Sequence, residues 1–235
     1  MNLVIVSNRV ARGKPNEPMT GGLAAALLPV VEHSGAIWVG SSGRVRDGHQ
    51  KEPFAEIESL GTGALATLDL PAAYYEGFAN SALWPALHSR SDLIRVSQDD
   101  YVSYREVNAF MARALMRFRK ENTAFWVQDY HFLALGAELR DLGVNDPIGF
   151  FLHTPWPVAA VMQGVPNHRE LIHAMLAYDL LGFQTEEDRL NFLGYAASEL
   201  DLTIEDGVAI SAHGRTRCEV FPIGIDAEKF AQYAA

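Results

Sequence analysis

The sequence predicts an α/β fold built on a doubly wound parallel sheet, and three observations predict it. Short apolar runs alternate with longer amphipathic stretches along most of the chain. Several of those runs are apolar throughout, as strands covered on both faces require. The helical stretches also carry end signals, most plainly at Thr185, placed to N-cap a helix whose first turn holds Glu186, Glu187 and Asp188.

Taken in order, the runs that read as strands are LVIVSN (3–8), AIWVGS (36–41), ALATLDL (64–70), AFWVQD (124–129), IGFFLH (148–153) and LLGFQT (180–185). The helical patterns are GGLAAALLPVVEH (21–33), YREVNAFMARALMRFRKE (104–121), FLALGAELRDLG (132–143), HRELIHAMLAYD (168–179) and EEDRLNFLGYAASELD (186–201). Past residue 206 the pattern changes to VAISAHGRTRCEVFPIG, two strand-like runs joined at His213-Gly214, which reads as a hairpin. The stretch FPIGIDAEKFAQYAA (221–235) opens a further element with Asp226 as its N-cap. No repeat, low-complexity segment or linker divides residues 1–235, so a single domain is expected.

The bulk composition narrows the function. The 235 residues are 49% hydrophobic and 20% charged, ordinary for a globular chain with a sizeable core. A net charge of −10 argues against nucleic acid or an anionic membrane as partner. An anionic small molecule stays open, because a few arginines and backbone N–H groups make a local anion site. A single cysteine, Cys218, excludes an internal disulfide framework and a cysteine-based zinc cluster. No run approaches a membrane span, and the start MNLVIVSNRV is no signal peptide, so a soluble cytoplasmic protein is expected.

Ligands of open α/β sheets bind beyond the carboxyl ends of the strands, so the residues there are the candidates. The first strand ends in SNR (7–9), and TGGL (20–23) opens the next helix. The Gly21-Gly22 pair lets backbone N–H groups approach an anion at a helix N-terminus, and Arg9 offers a guanidinium fork. A tight turn with a surface arginine fits the same residues equally well. No Walker-type loop is present, and GTGALA (61–66) precedes a strand instead of opening a helix, so it reads as a turn.

WVQDYHFL (126–133) ends the fourth strand with Asp129 and His131, two positions apart. No third ligand stands at a suitable spacing, so no metal is expected; Asp129 reads as a strand-end acceptor or as the cap of the next helix. GFFLHTPWP (149–157) delivers His153 at the end of the fifth strand, followed by Pro155 and Pro157. Those prolines hold the loop after His153 extended and stiff, which suits a site better than a plug. YYEGFANSALWPALH (74–88) sets Tyr74, Tyr75, Phe78, Asn80, Trp84 and His88 together. Rings beside polar groups suit a sugar face; for most of these positions a helix packed on the sheet is the stronger reading.

In this order, SNR, GGL, YYEGFANSALWP, WVQDYHFL, GFFLHTPWP, YDLLGFQTEEDRLNFL and FPIGID resemble the N-terminal half of trehalose-6-phosphate synthases. These are retaining glycosyltransferases with two Rossmann domains (the GT-B type). The resemblance runs from about residue 3 to the end, and relatives that make glucosylglycerol phosphate or pseudo-sugars share much of it. It implies transfer of glucose from UDP-glucose to glucose 6-phosphate, giving trehalose 6-phosphate and UDP, without a cofactor or metal. By the family's pattern Arg9 holds the acceptor phosphate, while Tyr75 and Trp84 frame the acceptor sugar. Asp129 binds an acceptor hydroxyl, Gly22 brings its N–H to the donor's leaving phosphate, and His153 hydrogen-bonds the donor glucose. Asp129 and His153 are the positions nearest the chemistry. A front-face displacement of this kind needs no protein nucleophile, and positioning with electrostatic stabilisation carries the rate.

The family's remaining donor contacts lie in a second Rossmann domain that follows the PIGID element, so the chain is expected to be an acceptor-side part that does not turn over alone. Other readings stay open: a sugar-phosphate-binding module without chemistry, a synthase with another acceptor such as glycerol 3-phosphate, and a nicotinamide-dependent oxidoreductase, against which the missing glycine fingerprint counts. Oligomeric state, including a homo-oligomer formed through an apolar face, is left open as well.

Overall fold

Residues 1–10, 22–45, 54, 56–71 and 73–224 are described by the computed structural model. The apolar runs become the middle of one large sheet. Its strands are β1 (Asn2–Arg9), β2 (Ile37–Val45), β3 (Glu56–Leu60), β4 (Gly63–Leu70), β5 (Thr123–Gln128), β6 (Ile148–Phe151), β7 (Leu180–Phe183), β8 (Thr203–Glu205), β9 (Val208–Ser211) and β10 (Gly214–Val220). They lie in the order β3-β4-β2-β1-β5-β6-β7-β10-β9-β8. Every pairing from β4 across to β10 is parallel, and both edges finish in antiparallel pairs. The chain winds outward from β1 in one direction through β2 and β4, and from β5 in the other. The switch point therefore falls between β1 and β5, where ligands of such sheets bind.

Alternation along β1 shows how the two faces are filled. Val4 and Val6 enter a large core with Tyr74, Phe78, Tyr104, Phe132, Phe150 and Tyr178, while Ile5 enters a smaller one with Leu27, Val31, Trp38 and Leu65. The smaller core is covered by α1 (Gly22–Ser34). On the large core lie a helical stretch over Ala73–Leu83 running into α2 (Trp84–Leu87), then α3 (Gln98–Leu115), α4 (Leu135–Asp141), α5 (Ala159–Met162), α6 (His168–Met175) and α7 (Glu186–Glu199). Each large side chain fully buried there contributes about 1.5–3 kcal/mol.

The expected helices form, with shifted ends. The pattern at 104–121 begins earlier, at Gln98, because Ser97 is the N-cap: its Oγ accepts from Asp100 N at 3.3 Å. It stops at Leu115, and a 3-10 turn follows over Met116–Phe118. Thr185 caps α7 as expected, its Oγ1 accepting from Asp188 N at 3.2 Å. The hairpin past residue 206 is β9–β10, and Gly61-Thr62 form the turn into β4. Two strands went unread. β3 is an exposed edge whose Glu56 and Glu58 break any apolar run, and β8 has three residues. The element expected at Asp226 lies outside the described residues.

Candidate functional site

Arg9 ends β1, while Asp129 and His153 stand just past β5 and β6. At β1, Ser7 is buried and accepts from Trp38 Nε1 at 2.8 Å through its Oγ, which anchors the strand end. Asn8 follows, its Oδ1 accepting the Tyr74 hydroxyl proton at 2.8 Å. Arg9 then reaches a small cavity of about 180 Å³, whose lining includes Asn8, Ser41, Arg44, Tyr75 and Glu76. Gly43 makes room for it: a Cβ there would stand 2.8 Å from Arg9 Nη2, and its φ of +85° is glycine's own region. Arg44 is drawn toward Asp69, Nε to Oδ1 at 3.5 Å.

Tyr75 and Trp84 are the two large aromatics of the 74–88 segment left in part to solvent, at 44% and 42% exposure. Tyr74 and Phe78 are buried in the core, so for them the packing reading is correct. Tyr75 lies parallel to the His131 ring at 5.7 Å and 8°. Trp84 is absent from the lining of the Arg9 cavity and stacks on His88 instead, at 4.2 Å and 28°. The segment is kinked at Gly77, where a side chain would collide with Asp100 at 2.6 Å.

Asp129 follows β5 in an unusual backbone state, φ 74°, ψ 167°, a region that residues other than glycine occupy at a cost of about 1–3 kcal/mol. Its N–H donates to Phe151 O at 2.8 Å, and its Oδ1 accepts the backbone N–H of His153 at 3.3 Å. Asp129 is thus a strand-end acceptor; it makes no side-chain cap to the short helical turn that follows. Burial pushes its carboxyl up to about 6, against the pull of backbone N–H donors from Tyr130 and His153 and of nearby His88.

His153 sits at the end of β6, beside Asp129 as the neighbouring strands require. Burial lowers its imidazole to about 4, so it is neutral at physiological pH. Its Nε2 lies 2.9 Å from Gln128 Oε1, and its ring meets Phe151 edge-on at 4.7 Å. Gln128 and His153 are the polar members of a second, apolar cavity of about 410 Å³, bounded by Leu23 and Leu27 of α1, by Trp126 and Phe151, and by Phe221 and Ile223. The loop after His153 is pinned from α7. Asp188 Oδ1 accepts Trp156 N at 2.7 Å, Asn191 Nδ2 donates to Trp156 O at 3.0 Å, and the Trp156 ring is buried against Phe192.

His131, two residues past Asp129, is packed among aromatic rings. It is 6% exposed among tyrosine rings, and burial lowers its imidazole to about 3. His168 and His173 diverge, one to Tyr195 and the other to His213. Among the described residues no group of three His, Cys, Asp or Glu is arranged to hold a metal ion, and no helix is long and apolar enough to cross a membrane. Gly22 begins α1; Gly21 lies outside the described residues. Sequence reasoning missed Gln128 and Asp188. Only the strand register could have flagged the first, and only the cap position could have flagged the second.

A parallel-dominated sheet covered by helices, with a switch point between β1 and β5, defines an α/β fold of Rossmann type. The particular lineage is plain from comparison: the chain belongs to glycosyltransferase family 20, whose profile matches residues 3–235. It is 40% identical over 238 aligned positions to the trehalose-6-phosphate synthase of Enterobacter sp. (strain 638), covering 99% of this chain and 50% of that protein. In structure it is similar to the α,α-trehalose-phosphate synthase (UDP-forming) of Burkholderia vietnamiensis, with a TM-score of 0.91 and 37% identity over 99% of this chain and 51% of that one. The synthase of Burkholderia xenovorans in complex with glucose-6-phosphate matches with a TM-score of 0.91 and 38% identity over 99% of this chain and 52% of that one. The mixed α/β sheet is that of the GT-B fold of these relatives. The chain spans about half the length of the curated relatives it matches.

Proposed function

We propose that these residues form the acceptor-side Rossmann domain of a synthase that moves glucose from UDP-glucose to glucose 6-phosphate, giving trehalose 6-phosphate and UDP. The observation that carries the reading is the arrangement at the switch point. A guanidinium and an aromatic ring share one small cavity, and one strand further on a half-buried carboxylate accepts the backbone N–H of a residue whose imidazole is neutral. A sugar phosphate asks for this division of labour: a fork for the dianion, a ring for the apolar sugar face, acceptors for hydroxyls.

In this reading Arg9 holds the acceptor phosphate, and Tyr75 with Trp84 frames the sugar. Asp129 accepts a hydrogen bond from an acceptor hydroxyl, Gly22 at the start of α1 brings its N–H to the donor's leaving phosphate, and His153 takes the donor glucose. The leaving phosphate itself receives the proton of the attacking hydroxyl, so no side chain need serve as nucleophile. The other donor contacts, including the basic residues on the pyrophosphate, come from a second Rossmann domain, in keeping with the half-length match to the relatives. The enzyme works in the cytoplasm, without a metal or cofactor.

Calorimetric titration of the chain with glucose 6-phosphate, with glycerol 3-phosphate in parallel, tests the acceptor. Saturable binding of glucose 6-phosphate that Arg9→Ala weakens is the expected result. Preference for glycerol 3-phosphate moves the chain to a synthase with another acceptor, and binding untouched by Arg9→Ala overturns the assignment of the phosphate site.

A further inference from the structure

Gln128 has been given no role so far, yet its side chain is the hydrogen-bond neighbour of the His153 ring. It is 1% exposed, the last residue of β5, and its Oε1 lies 2.9 Å from His153 Nε2. Its amide nitrogen is buried without a hydrogen-bond partner among the described residues. A buried glutamine that leaves half its amide unpartnered costs stability. A packed apolar residue would avoid that cost. What the glutamine adds is direction, because a neutral imidazole carries one N–H and one lone pair, and the bond made by one nitrogen decides the role of the other.

We propose that Gln128 is a positioning residue: its side-chain carbonyl holds His153 as the Nε2–H tautomer and leaves Nδ1 as a hydrogen-bond acceptor toward the crevice. The inference rests on the reading of His153 as a ligand-facing residue and deepens it. An acceptor nitrogen engages a hydroxyl and repels a phosphate oxygen, which has no proton to give. His153 therefore faces the sugar of a ligand and not its phosphate, which assigns the anion to Arg9 and to the N-terminal end of α1. Several features agree. The ring is neutral, as burial requires, and the Nε2–H form is the one the free imidazole side chain prefers. Nδ1 has no hydrogen-bond partner among the described residues. The opposite arrangement, with the glutamine amide donating to Nε2, places the proton on Nδ1 and turns His153 into a donor.

The two arrangements differ in the ¹⁵N–¹H spectrum of the imidazole, which is read on the chain without any ligand. In the unaltered protein at neutral pH, the expected spectrum shows a protonated Nε2 whose hydrogen exchanges slowly enough to give a resolved signal, and a bare Nδ1. Gln128→Leu keeps the size of the side chain and removes the acceptor, so that resolved signal is lost. Gln128→Glu keeps an acceptor, so the signal stays and the titration midpoint of His153 rises by at least one pH unit. A proton found on Nδ1 in the unaltered protein overturns the proposal, as does a resolved Nε2–H that survives in Gln128→Leu. If the chain fails to bind glucose 6-phosphate, the functional reading falls by that separate measurement, while the tautomer remains decided by its own.

Discussion

Asp129 combines the two most unusual features of the site, a strained backbone and a displaced carboxyl, and they make opposite demands on stability and function. Its carboxyl moves from 3.8 to about 6 because burial disfavours the charge. A shift of about two pH units corresponds to about 3 kcal/mol between the protonated and ionised forms. The folded state binds the proton more tightly than the unfolded chain, so this group favours folding most below pH about 4. That contribution disappears as pH rises through about 6. Asp129→Asn has no such titration. Urea unfolding of both proteins across the range should therefore show the unaltered chain losing about 3 kcal/mol relative to Asp129→Asn between pH about 3.5 and pH about 7.5. Every other titrating group is shared, so it largely cancels in the difference. Asp129→Gly should behave the same way with pH. It also sheds the strain at φ 74°, worth about 1–3 kcal/mol, less about 1 kcal/mol for the chain entropy of glycine. Both variants should be at least as stable as the unaltered chain at neutral pH and should bind glucose 6-phosphate poorly. A stability difference that stays flat with pH would refute the account of a desolvated, destabilised carboxylate.

Other substitutions separate binding from folding. Arg9→Ala removes an exposed guanidinium, so stability should stay within about 0.5 kcal/mol, while affinity for glucose 6-phosphate in calorimetry should fall about tenfold or more with the loss of a charge-assisted contact. Trp84→Ala should weaken the same binding by about threefold to tenfold, the worth of a ring against an apolar sugar face. Because the indole stacks on His88 and is 42% exposed, its unfolding free energy should change by less than about 1 kcal/mol.

The central sheet was legible because β1, β2, β4, β5, β6 and β7 are each marked by an apolar run, and a parallel sheet buried on both faces produces that pattern. β3 was not legible: it lies at an edge, four of its five residues are exposed, and nothing in EIESL selects a strand over a loop. The site was partly legible for the same reason as the fold. Strand ends are where an apolar run stops, so Arg9, Asp129 and His153 stood out by position. What the sequence could not give is contact between residues distant in the chain. Gln128 stood inside the run AFWVQD with nothing to single it out, and its bond to His153 depends on the register of β5 against β6. Trp84 looked equivalent to Tyr75, yet the kink at Gly77 sends the two rings to different neighbours.

Why a strand should present an imidazole before two prolines has an answer that involves a third party. Pro155 and Pro157 restrict the backbone after His153, but a restricted backbone can still swing as a unit. The restraint against swinging is Asp188, a buried carboxylate in the first turn of α7. Its Oδ1 accepts Trp156 N at 2.7 Å, and its Oδ2 accepts the Thr185 hydroxyl at 2.6 Å. The cap of α7 and the loop of the site thus share one side chain. Asp188→Ala should open the loop locally. The Trp156 amide should exchange with deuterium about tenfold to a hundredfold faster, matching the loss of a charged hydrogen bond worth about 1.5–3 kcal/mol. The amide of Val127, central in β5 and paired on both sides, should exchange at its original rate unless the whole domain is destabilised. Acceleration confined to the loop and the first turn of α7 makes Asp188 the clamp that holds His153 in place. An unchanged Trp156 amide would show that the prolines and the buried indole suffice, and that the carboxylate serves only the cap.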